Sequence, residues 1–193
     1  SRGRSSTWRA AGDVLFRLCI PQARLGGSMW AQVVGDEAML HHGRLPDLDV
    51  DMQRTASAAV LEAFDADCIS ACHDIGDGGE IVALAEMGWD RSGAVRFGAE
   101  WSASPSVSGE EQYASLFAET AGFLCAVPPD KVGTFAAILK HHEVAAERRG
   151  VVSEGDQLLV RLAEHSVSID LQSLGNRWRH ALEDVLETQE VVS

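Results

Sequence analysis

The segment that most constrains the fold is residues 68–89, CISACHDIGDGGEIVALAEMGW. Small and apolar side chains dominate residues 68–73, a pattern typical of a buried strand. Three glycines and two aspartates among residues 74–79 cannot continue a strand and predict a turn. Apolar residues then recur at helical spacing over residues 80–87. The sequence therefore predicts a strand, a sharp turn and a helix in direct succession.

The predicted turn has the chemistry of an anion site. A turn that leads into a helix directs backbone N–H groups, here those of Gly76, Gly78 and Gly79, toward a phosphate. Asp74 and Asp77 could hold a hard divalent cation beside that phosphate. The alternative is a glycine-rich surface turn in which Asp77 caps the helix, and the motif alone leaves both interpretations open.

Charge and composition narrow the class of protein. The net charge of −13 over 193 residues argues against nucleic acid and anionic membranes as partners. The content of 46% hydrophobic and 23% charged residues is ordinary for a single globular domain. No apolar run approaches the roughly 20 residues of a membrane span, and the basic start lacks the apolar region of a signal peptide. We therefore expect a cytoplasmic domain.

The cysteines and histidines give a weak signal for metal. All four cysteines lie in apolar stretches and are expected to be reduced and buried: Cys19, Cys68, Cys72 and Cys125. Cys68 and Cys72 lie next to His73, but no second Cys/His pair follows at zinc-site spacing. The histidine pairs at 41–42 and 141–142 are expected to be solvated residues of helix ends or loops.

The rest of the pattern predicts mixed strands and helices. Residues 1–11 are expected to be a disordered leader or the boundary of a segment excised from a larger polypeptide, residues 12–188 one domain and residues 189–193 a tail. Strands are predicted at residues 14–20, 93–101, 123–127, 144–153, 157–163 and 166–171. Helices are predicted at 29–34, from a cap at Asp49 or Asp51 to 65, and at 110–119, 131–142 and 175–187, with a loop at 35–48. The expected fold class is α+β.

Three local assignments complete this pattern. Ser28, before the first helix, is a candidate N-cap. Asp130 is predicted to cap the helix at residues 131–142. The charged run at residues 147–149 is expected to be a solvated patch with no role in a site.

Four blocks follow one another along the chain: LGGSMWAQV at 25–33, LPDLDVDMQ at 45–53, ACHDIGDGGEIVALAEMGW at 71–89 and LFAETAGFLCAV at 116–127. In this order they resemble segments of the phosphoribosylformylglycinamidine synthase family, also called formylglycinamide ribonucleotide amidotransferase. They are similar to LGGSxxAQV, PPDLD, HDxSDGG…LAEM and LFxExxGxVxxV in the AIR-synthase-like C-terminal domain of that family's second half. The resemblance covers about residues 12–187 and implies a mixed β-sheet flanked by helices, the AIR synthase-related fold.

The resemblance also implies a function. The family uses ATP and glutamine-derived ammonia to convert formylglycinamide ribonucleotide into its formylglycinamidine product in purine biosynthesis. This segment would form one wall of a cleft for ATP or ADP and Mg²⁺, together with an N-terminal half-domain of the same kind and a glutaminase domain. Asp74 occupies the position of a magnesium ligand, and the nucleotide would lie against Gly26, Gly27, Ser28, Gly76, Gly78 and Gly79. No catalytic residue is implied, and the isolated segment is expected to be inactive.

Two positions depart from the family pattern near the turn. Gly76 stands where the family has a serine that contacts the nucleotide. Glu80 replaces an apolar residue and is expected to add negative charge beside the phosphate site. No Lys or Arg follows this cluster until Arg91, so ATP is expected to need Mg²⁺. A divergent, non-catalytic scaffold or interaction module of the same fold stays open as the alternative function.

Overall fold

The computed structural model describes residues 5–107 and 111–190. These residues contain seven strands and seven α-helices. The strands are β1 Val14–Leu18, β2 Ala71–Asp74, β3 Phe97–Ser102, β4 Phe123–Val127, β5 Ala146–Glu154, β6 Gln157–Arg161 and β7 Ser166–Asp170. The helices are α1 Met29–Val34, α2 Glu37–His42, α3 Val50–Asp65, α4 Gly79–Gly88, α5 Gln112–Phe117, α6 Val132–His141 and α7 Leu171–Glu190.

All seven strands join one mixed sheet in the order β2-β4-β1-β5-β3-β6-β7. β1 lies inside the sheet, where Val14 pairs antiparallel with Val127 of β4 and Val151 of β5. β3 runs parallel to β6, whereas β5 runs antiparallel to β3. The prediction of an α+β fold with a mixed sheet is therefore confirmed.

Helices cover both faces of this sheet. Successive residues of a strand point to opposite faces, and in β4 Leu124 and Ala126 join one core cluster while Cys125 and Val127 join the other. The first cluster includes Leu84 and Met87 of α4, and the second includes side chains of α3 and α6. Because both faces are covered, a strand such as β4 is apolar throughout. The glycine-rich turn leads into α4, on the first of these faces.

Most predicted elements are present. The helix at residues 29–34 and the strand at residues 123–127 coincide with α1 and β4. α3 begins after Asp49, whose Oδ1 accepts a hydrogen bond from the Met52 N–H at 2.8 Å. Asp49 is therefore the cap, rather than Asp51. β3 is shorter than predicted and begins at Phe97, because Asp90 first holds a turn by accepting from the N–H groups of Ser92 and Ala94.

Two local predictions are wrong. Residues 35–48 are not entirely loop, because they contain α2. Its caps are visible in the sequence: Asp36 accepts from the Met39 N–H at 2.9 Å, and the N–H of Gly43 donates to the carbonyl of Met39. Asp130 does not cap α6, because it lies inside the 3-10 turn Pro129–Lys131 and that helix has no side-chain cap.

The predicted ends of the domain also change. The prediction of a disordered leader is wrong for residues 5–11. Trp8 is only 3% exposed, and its backbone N–H donates to the carbonyl of Met87 at 3.0 Å. Residues 1–4 lie outside the described residues. α7 continues through Glu190, past the predicted end of the domain at residue 188, and residues 191–193 lie outside the described residues.

The cysteines and the first histidine pair follow the predictions. Cys19, Cys68 and Cys125 are buried, Cys72 is partly buried, and all four are free thiols. His41 and His42 are exposed residues of the last turn of α2. Among the described helices, none combines the length and apolar character needed to cross a bilayer.

Candidate functional site

The glycine-rich turn between β2 and α4 depends on two left-handed residues. Gly78 and Gly79 have φ values of +77° and +73°, a region that side chains disfavour. A Cβ atom on Gly79 would lie 2.7 Å from the carbonyl carbon of Phe117, so the turn packs directly against the end of α5. Glycine is thus required both by the backbone conformation and by the space available.

Glu119 joins this turn to the Leu25–Ser28 segment, which lies far from it in sequence. Its Oε1 accepts a hydrogen bond from the Met29 N–H at 2.8 Å and another from the Gly78 N–H at 3.0 Å. Both donors are backbone groups at the start of a helix, where the partial positive charge favours an anion. The carboxylate therefore holds the two glycine-containing segments side by side.

The structure assigns the cap of α4 differently from the sequence prediction. Asp77 is exposed and does not cap the helix. The N-cap position is Gly78, which has no side chain and adopts the left-handed conformation rather than the extended one that suits a capping aspartate. Glu119, reaching across from another segment, satisfies the N–H of Gly78 instead.

The Leu25–Ser28 segment is shaped mainly by its own packing. Ser28 is buried and is the predicted N-cap: its Oγ accepts from the Ala31 N–H at 3.3 Å and donates to the carbonyl of Leu25 at 2.7 Å. A Cβ on Gly26 would collide with the backbone of Gly43. Gly27 is exposed and has a φ of +68°. Of the three candidate residues in this segment, Gly27 is the one open to solvent.

Asp74 lies at the end of β2, an edge strand of the sheet, and its side chain is 78% exposed. The Nδ1 atom of His73 is 3.6 Å from its Oδ1. Mg²⁺ in nucleotide sites commonly uses one or two carboxylates together with waters and phosphate oxygens, a set that a single exposed aspartate can enter. Within the described residues, no group of three metal-ligating side chains includes Asp74. Its assignment as a metal ligand stays a prediction.

Gly76, where the resemblance implies a serine, has room for a side chain. It is exposed, its φ is not positive, and no atom of the described residues, apart from its chain neighbours, lies within 4 Å of the position that a Cβ would take. Unlike Gly78 and Gly79, this glycine is required by neither its conformation nor its packing. A hydroxyl group could therefore be added here without disturbing the turn.

Glu80 has a different role from the one predicted. Its carboxylate is buried and accepts from Trp101 Nε1 at 2.8 Å, from Arg149 Nη2 at 2.8 Å and from Arg17 Nε at 3.3 Å. The expectation that Glu80 adds negative charge beside a phosphate site is wrong. The side chain enters the protein, and two buried guanidinium groups balance its charge.

The charged run at residues 147–149 is not simply a solvated patch, because Arg149 is buried. Its strand, β5, has β1 and β3 on its two sides. The Arg149 guanidinium donates to the carbonyl of Ser102 at 2.5 Å, and its carbon lies 4.8 Å from the centre of the Trp101 ring. The expectation that this run is solvated is therefore wrong for Arg149.

Glu147, which is partly buried, belongs to the same group of charges. Burial acts to raise the pKa of its carboxyl, but hydrogen bonds from Ser106 and Ser104 and the charge of Arg149 outweigh burial. The pKa of Glu147 therefore lies below its usual value. This acid stays ionised while it holds Arg149 at 3.2 Å.

The buried charges also position the loop that carries Glu119. Arg17 Nη2 donates to the carbonyl of Thr120 at 3.1 Å, and Nη1 donates to the carbonyls of Leu18 and Cys19. Burial lowers the pKa of Arg17, while the Glu80 carboxylate acts in the opposite direction. Arg17 thus connects β1, α4 and the 118–122 loop. The signal that the sequence offered was a single charged residue within the apolar strand VLFRL.

A comparison with protein families identifies this architecture. The family described as AIR synthase related protein, C-terminal domain, matches residues 10–163. This chain belongs to that family. Among curated relatives, the phosphoribosylformylglycinamidine synthase subunit PurL of Nocardioides sp. is 30% identical over 187 residues, which are 94% of this chain and 22% of the relative. The PurL subunit of Thermobifida fusca is 27% identical over 180 residues, 92% of this chain and 22% of that protein.

Solved structures agree with the family on the fold. Thermotoga maritima PurL complexed with FGAR aligns with a TM-score of 0.67 at 16% identity, over 89% of this chain and 29% of that chain. The same protein complexed with ATP aligns with a TM-score of 0.64 at 18% identity, over 89% and 27%. A hydrogenase maturation protein HypE aligns with a TM-score of 0.54 at 18% identity, over 86% and 54%. This chain thus spans 22% to 29% of the length of these PurL proteins.

Proposed function

We propose that this chain is a domain of an ATP-dependent amidoligase that converts formylglycinamide ribonucleotide into formylglycinamidine ribonucleotide in purine biosynthesis. In this proposal the chain forms one wall of a cleft for nucleotide and Mg²⁺. The observation that carries it is the adjacency of two glycine-containing segments, each resembling a block of the synthase family. The N–H groups of Met29 and Gly78, one from each segment, lie within hydrogen-bond distance of a single carboxylate oxygen of Glu119.

The relatives support the reaction class. The curated matches are phosphoribosylformylglycinamidine synthase subunits, and the solved T. maritima PurL structures are described as complexes with ATP, ADP, AMPPCP or FGAR. This chain spans only 22% of the length of this PurL relative. We therefore assign the synthase activity to a larger assembly of which this chain is one domain. An N-terminal half-domain and a glutaminase domain are its proposed partners, and the cytoplasm is its proposed location. The chain alone should have no synthase activity.

The proposed roles follow from exposure. Asp74, on an edge strand, would bind Mg²⁺, which neutralises phosphate charge when it is bound. Backbone groups of Gly76 and Gly27 are open to solvent and would approach the nucleotide. The remaining candidate glycines, Gly26, Gly78 and Gly79, would shape these backbones, and Ser28 would hold the start of α1.

One observation favours the alternative of a non-catalytic scaffold. Glu119 already occupies the N–H groups of Met29 and Gly78, which are the donors that a phosphate would use at these helix starts. In addition, Gly76 lacks the hydroxyl group of the family serine. In a scaffold, both changes would leave the fold intact while nucleotide binding is lost.

Calorimetric titration of the chain with ADP, with and without millimolar Mg²⁺, separates the two functions. We expect weak binding that requires Mg²⁺. Gly76→Ser should strengthen it by about two- to tenfold, the effect of one added hydrogen bond. Asp74→Asn should weaken it by about tenfold, because a charged ligand of the cation is lost. Asp77→Asn is the matched control, since Asp77 is also exposed and lies in the same turn.

Each outcome decides between the two functions. Binding that depends on Mg²⁺ and Asp74 but not on Asp77 supports the nucleotide cleft. Absence of binding in the natural chain and in Gly76→Ser alike would favour the scaffold. Tight binding without metal would show that Asp74 has been given the wrong role.

A further inference from the structure

Three metal-ligating side chains converge on the sheet face opposite α4. They are Glu62, near the end of α3, and His141 and His142, at the end of α6. Their ligand atoms all lie within 4.8 Å of one another. The Nε2 atom of His142 is 2.7 Å from the Oε2 atom of Glu62, and the two histidine rings are 5.1 Å apart.

The helices that carry these residues are packed together. Ala59 and Ala63 of α3 share one core cluster with Phe135 and Ile138 of α6. The N–H of His142 donates to the carbonyl of Ile138 at 3.1 Å, which fixes the backbone at the end of the helix. The three side chains are therefore presented from a rigid base, although they are themselves at least partly exposed.

The chemistry of the group suits a transition-metal ion. Two imidazoles and one carboxylate are the donors that Zn²⁺ and similar borderline cations prefer. Zinc ligands lie about 2.0–2.2 Å from the metal, so a small rotation of these exposed side chains closes the group around an ion. The carbonyl end of α6 adds a partial negative charge, while Lys140 in the same turn acts against a cation.

We propose that Glu62, His141 and His142 form a surface site for a divalent transition-metal ion of the zinc class. The bound ion links α3 to α6. The site is independent of the glycine-rich turn, because α3 and α6 cover the other face of the sheet.

The chain contains a matched control for this site. His41 and His42 are also adjacent histidines in the last turn of a helix, and Glu37 lies 3.2 Å from His41 Nε2. All three belong to α2, however, and the two rings are 6.5 Å apart. Within the described residues, only the group at Glu62 brings three ligand atoms together. The two sets therefore contain the same residue types, but only the first brings three ligand atoms close to one another.

The test is a calorimetric titration of the tag-free 193-residue chain with Zn²⁺, accompanied by thermal unfolding at each zinc concentration. We expect one saturable site and a melting temperature that rises with zinc. The double change His141→Ala and His142→Ala should weaken binding by about tenfold or more and remove the thermal shift. Glu62→Gln should weaken it in the same direction. The double change His41→Ala and His42→Ala should leave both measurements unchanged.

Circular dichroism of each variant without zinc verifies that the fold is retained. Absence of saturable zinc binding by the natural chain would overturn the proposal. Binding retained after loss of His141 and His142 would overturn it as well, and would assign the zinc to other groups such as the thiols. Equal losses in the His41–His42 control would have the same consequence.

Discussion

The two ends of the glycine-rich turn carry acids with opposite environments. Asp74, at the end of β2, has a side chain that is 78% exposed. Glu80, in the first turn of α4, has a side chain that is 2% exposed and lies between Arg17 and Arg149. Both are acids of one short segment, yet the first is open to a ligand and the second belongs to the fold. The turn therefore separates a candidate binding position from a structural one.

The buried charges at Glu80 hold several elements together, but burying them costs free energy. Moving a carboxylate and two guanidinium groups out of water costs several kcal/mol for each ion, and their attraction offsets this cost only when the hydrogen bonds are complete. Here Trp101, Glu147 and several backbone carbonyls, among them those of Thr120 and Ser102, supply further bonds. The network becomes unfavourable as soon as one member is removed. The exposed end carries no comparable cost.

The largest expected effect comes from Glu80→Gln. The change leaves two buried arginines without their shared carboxylate, and the free energy of unfolding should fall by about 3–5 kcal/mol. Denaturant unfolding measures this loss. Glu100→Gln is the matched control, because Glu100 pairs with Arg161 at 2.9 Å with both side chains about half exposed. The control should lose no more than about 1 kcal/mol. Similar losses in the two variants would remove the distinction between buried and exposed acids.

A smaller effect is expected at Glu147, and it depends on pH. Glu147→Gln should cost about 1–2 kcal/mol at pH 7, because the charged hydrogen bond that the carboxylate accepts from Arg149 Nη1 is lost. The pKa of Glu147 is lowered in the folded state, so its stabilisation is present above the ordinary value of 4.5 and is lost as the pH falls through the folded value.

The measurement compares unfolding curves of the natural chain and Glu147→Gln between neutral and acidic pH. Their difference should be largest near neutrality and should shrink below about pH 4.5. Burial raises the pKa of Asp13, which gives a slope of opposite sign, but that slope is common to both proteins and cancels in the difference. A difference that is constant with pH would show that the carboxylate charge of Glu147 does not stabilise the fold.

The smallest effect is expected at the exposed end. Asp74→Asn and Asp77→Asn should each change the free energy of unfolding by no more than about 0.5 kcal/mol, because both side chains are exposed and neither caps α4. Chemical denaturation of the two variants side by side provides the measurement. A loss of about 1 kcal/mol or more at Asp77 would restore the capping role that the sequence suggested.

The sequence predicted the elements whose signals are local. The glycines and aspartates of residues 74–79 marked the turn, and the spacing of apolar residues marked α4. Ser28 and Asp49 were identified as candidate caps because their signal lies within three residues of the helix. α2 was missed although Asp36 and Gly43 delimit it, because a helix of six residues contributes too little periodicity to stand out.

The buried network was not predicted because its contacts are distant in sequence. No Lys or Arg follows Glu80 along the chain until Arg91, so the sequence showed no neighbouring positive charge that could balance it. Its partners, Arg17 and Arg149, lie on β1 and β5, far away in sequence. Pairing of this kind depends on the order of strands in the sheet, which periodicity does not specify. For the same reason the sequence did not reveal that Glu119 joins two glycine-containing segments.

The position of β1 has a consequence for how the protein is made. β1 precedes the other six strands of this sheet in the chain, yet Val14 pairs with Val127 and Val151, residues translated much later. Until β4 and β5 emerge, both hydrogen-bonding edges of β1 and the guanidinium of Arg17 have no native partners. Such long-range pairing slows folding and exposes unpaired strand edges to aggregation. We therefore expect the sheet to assemble only when most of the chain has been synthesised, and nascent chains that stop before β5 to depend on chaperones.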